Sequence, residues 1–321
     1  MEGTIRQKIR DYIKKYDELK SNIADEDGTI KKEYQSTALD EYKKMHAILL
    51  DSFTYDIFGI RENEHAEKLK KLYIYYYLSD EKIYSKVSGM ISESPSMKLE
   101  AQIRLYMMYL KTLREILYLL SGGYSDCALS RVRRLYEMGV YIEIISKNDE
   151  NLATRFCKHC NTQSYILAKK LNNNEKTKEI SKTVKSFNYE KEFIYDNGWA
   201  NILFKNKTKI NFADLLKLTE YKSQEATYKL TCNFVHPSLL SSLQSLDIRK
   251  DDNGKSIWNT SPSDEGIDTV IKFVLSYLGF FISNYKNSFS EDVTMEYLII
   301  CSIDNNIWDE LLPKENDNKQ E

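Results

Sequence analysis

Two short stretches of this chain place titratable rings where they could do chemistry. The first, "YKLTCNFVHPS" at 228–238, sets His236, one of four histidines, directly before Pro237, one of four prolines. Proline cannot donate to a helical ladder and steers the residue before it out of αR geometry, so His236 stands at a helix break. A histidine there can transfer protons near neutral pH, or it can cap the carbonyls that the kink frees. The second stretch, "TRFCKHC", spaces Arg155 and His159 by one helical turn. A guanidinium beside an imidazole favours the neutral ring, the form a general base needs. The plainer alternative is two residues at the margin of an apolar stripe, hydrogen-bonded to their neighbours.

A third constellation lies in "ALSRVRRLYEMGVYIEII" at 128–145. Ala128, Val132, Leu135, Gly139 and Ile142 form an inward stripe, with Arg131 on its edge and Arg134, Met138 and Tyr141 beside it. Glu137 follows Arg133 and Arg134 by about one turn, within reach of either. These residues form either a surface ion-pair ladder or, with Arg131 or Arg134 leaning inward, a planar cationic fork for a phosphate or carboxylate.

Cys157, Cys160, Cys232 and His236 have the donor types of a Cys₃His zinc site. The first pair falls inside a helical pattern and the second lacks knuckle glycines, so neither a metal nor another cofactor is expected. Phosphate-loop, dinucleotide-binding, nucleophile-elbow and zinc-protease motifs do not occur. The basic "FKNKTK" at 204–209 reads as a solvated loop, and His46 and His65 read as surface residues.

Helices must position these groups. Only 11 glycines and 4 prolines punctuate 321 residues, and 3.6-residue periodicity recurs throughout. The spacing predicts helices over 2–22, 31–58, 64–92, 97–120, 125–147, 150–171, 222–245, 264–287 and 291–311. Gly122-Gly123 should close one helix, with Ser125 or Asp126 capping the next, and Ser263-Asp264 is a similar start signal. The expected class is all-α: a helical extension over 1–92 and a helical core over 93–312. A loop-rich insertion interrupts the core at 172–221, 247–266 is a loop, and 313–321 is a solvated tail.

Composition bounds the setting. Hydrophobic residues at 42% and charged residues at 29% are ordinary for a globular chain. Lys+Arg 46 against Asp+Glu 48 gives −2, so no global field draws in nucleic acid, although a local patch remains open. The charged N-terminus lacks a signal-peptide core, and the apolar run at 273–282 is too short for a bilayer and reads as a buried helix segment. Five cysteines, an odd number, point to reduced thiols in a cytoplasm, with no membrane partner.

The motifs "SDCALSRVRRLYEMGVYIEII", "RFCKH" and "YKLTCNFVHPS", in that order, resemble an uncharacterised bacterial helical family related to the HEPN superfamily, over about 95–245. The resemblance implies a four-to-five-helix bundle, usually a homodimer. It also implies metal-independent ribonuclease activity in antiviral-defence or toxin systems, often with a partner protein. The superfamily pattern is an Arg four to six residues before a His. Carried onto this chain, His236 matches the terminal His and Asn233 loosely matches the polar position. Lys229, Leu230, Thr231 and Cys232 stand where the Arg is expected, so the Arg would come from Arg131, Arg134 or Arg155, or else cleavage is lost and binding retained.

The leading expectation is therefore a protein acting on RNA or a nucleotide. His236 would transfer the proton, one of these arginines would face the phosphate, Arg155–His159 would form an auxiliary pair, and Tyr228 and Glu137 would orient them. The alternative is a non-catalytic interaction module in which Arg131, Glu137 and His236 form a buried polar network.

Overall fold

Apolar residues at every third or fourth position generate the long helices of this chain. The computed structural model describes residues 2–24, 31–34, 36–38, 40–41, 43–44, 65–90, 96–205, 207–235, 247–250, 253–254, 256–259 and 265–303. The long helices are α1 (Glu2–Ile23), α2 (Ala66–Met90), α3 (Met97–Ser121), α4 (Ser125–Lys147), α5 (Glu150–Lys170) and α9 (Ile267–Phe289). The shorter ones are α6 (Asn174–Ser186), α7 (Phe212–Leu216), α8 (Glu225–Cys232) and α10 (Thr294–Ile303). The all-α bundle expected from periodicity is the observed fold. Most of the helix expected at 31–58 and all of the tail at 313–321 lie outside the described residues.

Local chemistry sets the turns. Ser96 accepts from Leu99 N–H at 3.1 Å to start α3. At its other end Gly123 takes φ +79, which lets its own N–H reach Leu120 O and Tyr124 N–H reach Leu119 O. That double closure folds α4 back on α3. Neither Ser125 nor Asp126 caps α4: Tyr124 holds the cap position without a side-chain bond, and Ser125 donates to the Glu265 carbonyl, tying α4 to the start of α9. Asp149 caps α5, accepting from Leu152 N–H at 3.0 Å.

The core lies between α3, α4 and α9. Val132, Leu135 and Ile142 of α4 and Val270, Val274 and Leu278 of α9 are fully buried, and Tyr109 stacks on Phe281 with centroids 3.9 Å apart. Taken whole, α9 is long and apolar enough to cross a membrane, but its twelve buried residues make it the central core helix. Helix α1 is held against the α9–α10 connection by Tyr16 and Lys20, which both bond Asp292.

Two expectations change. The segment expected as a loop at 247–266 contains an antiparallel hairpin, β1 (Asp247–Lys250) with β2 (Ser256–Asn259), pairing Ile248 with Trp258. Asn253-Gly254, with Gly254 at φ +76, is the turn signal. Over its described part, 222–235, the helix expected at 222–245 is a 3₁₀ turn over Glu220–Gln224 followed by α8, which ends at Cys232; the rest, from 236 on, lies outside the described residues. Residues 233–235 tighten into i−3 bonds, Val235 N–H reaching Cys232 O at 3.2 Å, ahead of Pro237.

Candidate functional site on helices α4 and α8

The three arginines of α4, at 131, 133 and 134, point in different directions. Arg131 is exposed and lies 3.5 Å from Glu115 of α3, and Arg134 is exposed to solvent. Arg133 turns toward α8. Its Nε donates to Glu137 Oε1 at 2.9 Å, and its guanidinium sits 5.5 Å from the centroid of the Tyr228 ring. Tyr228 donates its hydroxyl to the same Glu137 oxygen at 2.8 Å. Of the two arginines within a turn of Glu137, the structure selects Arg133.

Packing fixes this cluster. Tyr136 stacks on Tyr228 at 4.7 Å and donates to the Tyr221 carbonyl at 2.7 Å, while Phe212 of α7 closes the ring's other side at 5.1 Å. Burial, then the bond to Glu137, holds the Tyr228 phenol far above its ordinary range, so it stays a neutral donor. Burial opposes the Arg133 charge, but Glu137 outweighs it and the guanidinium stays protonated. With Nε committed and the side chain 25% exposed, both Nη nitrogens of Arg133 lack a hydrogen-bond partner among the described residues. They form a part-exposed cationic fork, held through Nε and suited to an oxyanion.

Arg155 and His159 do share one inward face of α5, both nearly inaccessible, but their bonds go elsewhere. Arg155 gives Nε to Trp199 O at 3.0 Å and Nη2 to Gly198 O at 3.2 Å, and both Nη atoms reach Glu190. Its guanidinium also lies 4.6 Å from the Tyr189 centroid. The His159 Nε2 meets Tyr195 O at 2.8 Å, and its ring packs edge-on against Phe193. Burial lowers the His159 pKa, and Arg155 is only a minor contributor. With every guanidinium nitrogen engaged, this pair anchors the 187–204 excursion to α5.

Other expectations are corrected by burial. His65, read as a surface residue, is buried with Nδ1 3.3 Å from Asp268, whereas His46 lies outside the described residues. On the same α5, Leu167 is 57% exposed, while Thr162 and Ala168 take inner positions. The alternative network of Arg131 and Glu137 does not form, because Arg131 meets Glu115 instead. His236 itself lies outside the described residues, and Asn233, three positions earlier, is the C-cap of α8. Cys157 and Cys160 sit on α5 and Cys232 on α8, where its thiol bonds Tyr228 O; among the described residues no three His, Cys, Asp or Glu side chains converge. Two clefts, of about 630 Å³ between α1 and α2 and about 710 Å³ between α2 and α3, do not include Arg133 in their lining.

Fold and site together define an all-α bundle carrying an Arg–Glu–Tyr cluster on one face. Residues 100–255, which contain that cluster, match the model of a family described as Family of unknown function (DUF5677). No curated protein and no solved structure matches the chain.

Proposed function

We propose that the α4–α8 face binds RNA or a nucleotide and acts on it as a metal-independent ribonuclease. In this reading the protein is a relative of the HEPN bundles, working in the cytoplasm as a homodimer in an antiviral-defence or toxin system with a partner protein. The observation that carries it is the part-exposed fork of Arg133, bonded to Glu137 beside Tyr228 on the short helix from which the chain runs to His236. Arg133 replaces Arg131, Arg134 and Arg155 as the phosphate-facing residue. His236 takes the proton of a ribose 2′-hydroxyl as that oxygen attacks phosphorus. The P–O5′ bond breaks, the leaving oxygen takes a proton, and a 2′,3′-cyclic phosphate remains. Tyr228 and Glu137 orient Arg133 and touch no reacting atom.

The test is inducible expression of wild type, His236→Ala and Arg133→Ala in a bacterial host, scoring growth and total RNA integrity. Growth arrest with fragmented RNA in the wild type alone supports the reading. Harmless expression with intact RNA removes it.

A non-catalytic interaction module is the second reading. It is favoured by the full pairing of buried Arg155 with Glu190, Trp199 O and Gly198 O, which anchors the 187–204 excursion rather than reacting. It predicts that Arg155 variants lose stability while host growth is indifferent to His236.

A further inference from the structure

The lobe that Arg155 anchors differs from the rest of the molecule in charge. Between positions 155 and 209 the chain holds twelve Lys and Arg against five Asp and Glu, a net of +7 within a total of −2. One of those five acids, Glu190, is taken up by the nearly inaccessible Arg155, so the outward balance is as basic as the sequence count. On α6, Lys178, Lys182 and Lys185 recur at i, i+4 and i+7, which puts them on one face. All three are exposed, spread over about 10 Å of helix. Exposed Lys191, Lys205 and Lys209 continue the charge beyond the end of α6, and none of these six lysines is ion-paired among the described residues.

Aromatic rings are interleaved with the cations. The Lys209 ammonium lies 5.0 Å from the centroid of Tyr195, itself 38% exposed, and that of Lys158 lies 5.3 Å from the centroid of Phe187. The lobe is rooted beside the candidate site. Asn197 accepts from the Tyr141 hydroxyl at 3.2 Å, and Tyr141 follows Glu137 by one turn on α4. Tyr141 also packs on Phe212, the ring that closes over Tyr228.

Resting on the reading of the α4–α8 face given above, we infer that this lobe is the surface along which single-stranded RNA approaches Arg133. A row of unpaired lysines along a helix matches a linear polyanion, and an exposed tyrosine beside a lysine offers a base a stacking surface. An anionic bilayer would be drawn by the same lysines, but it has no use for a stacking ring at the end of the row.

The experiment uses the full chain carrying His236→Ala, so that RNA is bound and not cut. A labelled oligouridine of about 20 nucleotides is titrated by fluorescence anisotropy over a salt series. The expected slope of log K against log salt is about −3, as for four phosphates neutralised on a single strand. Lys178→Glu, Lys182→Glu, Lys185→Glu and Lys209→Glu together should weaken binding at least about tenfold and flatten that slope. Tyr195→Ala should weaken binding several-fold with the slope unchanged, because stacking releases no counterions. Thermal melts of the variants, all substituted at exposed positions, confirm folding. The inference is overturned if the four reversals leave affinity and slope intact, or if the protein binds phosphatidylcholine–phosphatidylserine vesicles and not the RNA. Binding by this chain with no cleavage of the same RNA by the wild type would end the ribonuclease reading and leave this surface standing; cleavage that survives the four reversals made with His236 intact would do the opposite.

Discussion

Tyr228 of α8 and Glu137 of α4, 91 positions apart in sequence, are joined by a hydrogen bond of 2.8 Å onto the same carboxylate oxygen that holds Arg133. One carboxylate therefore sets both the direction of a guanidinium and the docking of a short helix. Eight residues of α8 are too few to be stable alone, so this bond and the Tyr136 stack position the chain ahead of His236.

Glu137→Ala removes both bonds at once and should cost about 1–3 kcal/mol in denaturant unfolding, with Tyr228→Phe costing about 1 kcal/mol. A double-mutant cycle between Tyr228 and Glu137 should return a coupling of about 1 kcal/mol. Additive losses would show that the pair does not interact in solution.

Arg155→Lys should not be conservative. A lysine cannot serve Glu190, Trp199 O and Gly198 O together, so stability should fall by about 3 kcal/mol. Hydrogen exchange should speed up first across 187–204. Unchanged protection there would mean that the excursion is held by its aromatic packing alone.

Stability should fall on mild acidification through His159. Burial lowers its folded pKa below the ordinary 6.5, so the unfolded chain binds the proton more readily. The ring's contribution is fully present above about pH 6.5 and is lost as pH falls from there toward the folded value. Denaturation midpoints between pH 7.5 and 5 should decline for the wild type and flatten for His159→Gln. Parallel curves would dismiss the linkage.

Gly139→Ala tests the α4 crossing directly. A Cβ there would stand 2.3 Å from the hydroxyl of Tyr221, a ring buried to 0% exposure and hemmed by Tyr136, Tyr277 and Phe280. The ring has nowhere to move, so a loss of about 1–3 kcal/mol is expected where helix propensity alone would predict a gain. A raised melting temperature would contradict this packing.

The inward stripe of α4, the helices from α3 to α5 and the break before Pro237 were legible in sequence because each is a local effect. Apolar spacing, a Gly-Gly turn and a missing N–H act within a few residues. The hairpin at 247–259 is not legible although Asn253-Gly254 marks its turn, because four-residue strands leave too short an alternation beside so much helical periodicity. The lysines of 178–209 were likewise visible as residues, but not as an exposed and unpaired surface.

By itself, the sequence determined that this chain is a helical bundle, which face of α4 lines its core, and that Glu137 can reach an arginine one turn earlier. Only the tertiary structure decided which one. A helical wheel orders Arg131, Arg133 and Arg134 about their own axis without saying which neighbour each will meet. Their fates separate once Glu115 approaches from α3 and Tyr228 from α8. The same holds for Arg155, whose acceptors lie 35 to 44 positions away, on a segment with no sequence period to announce where it would dock.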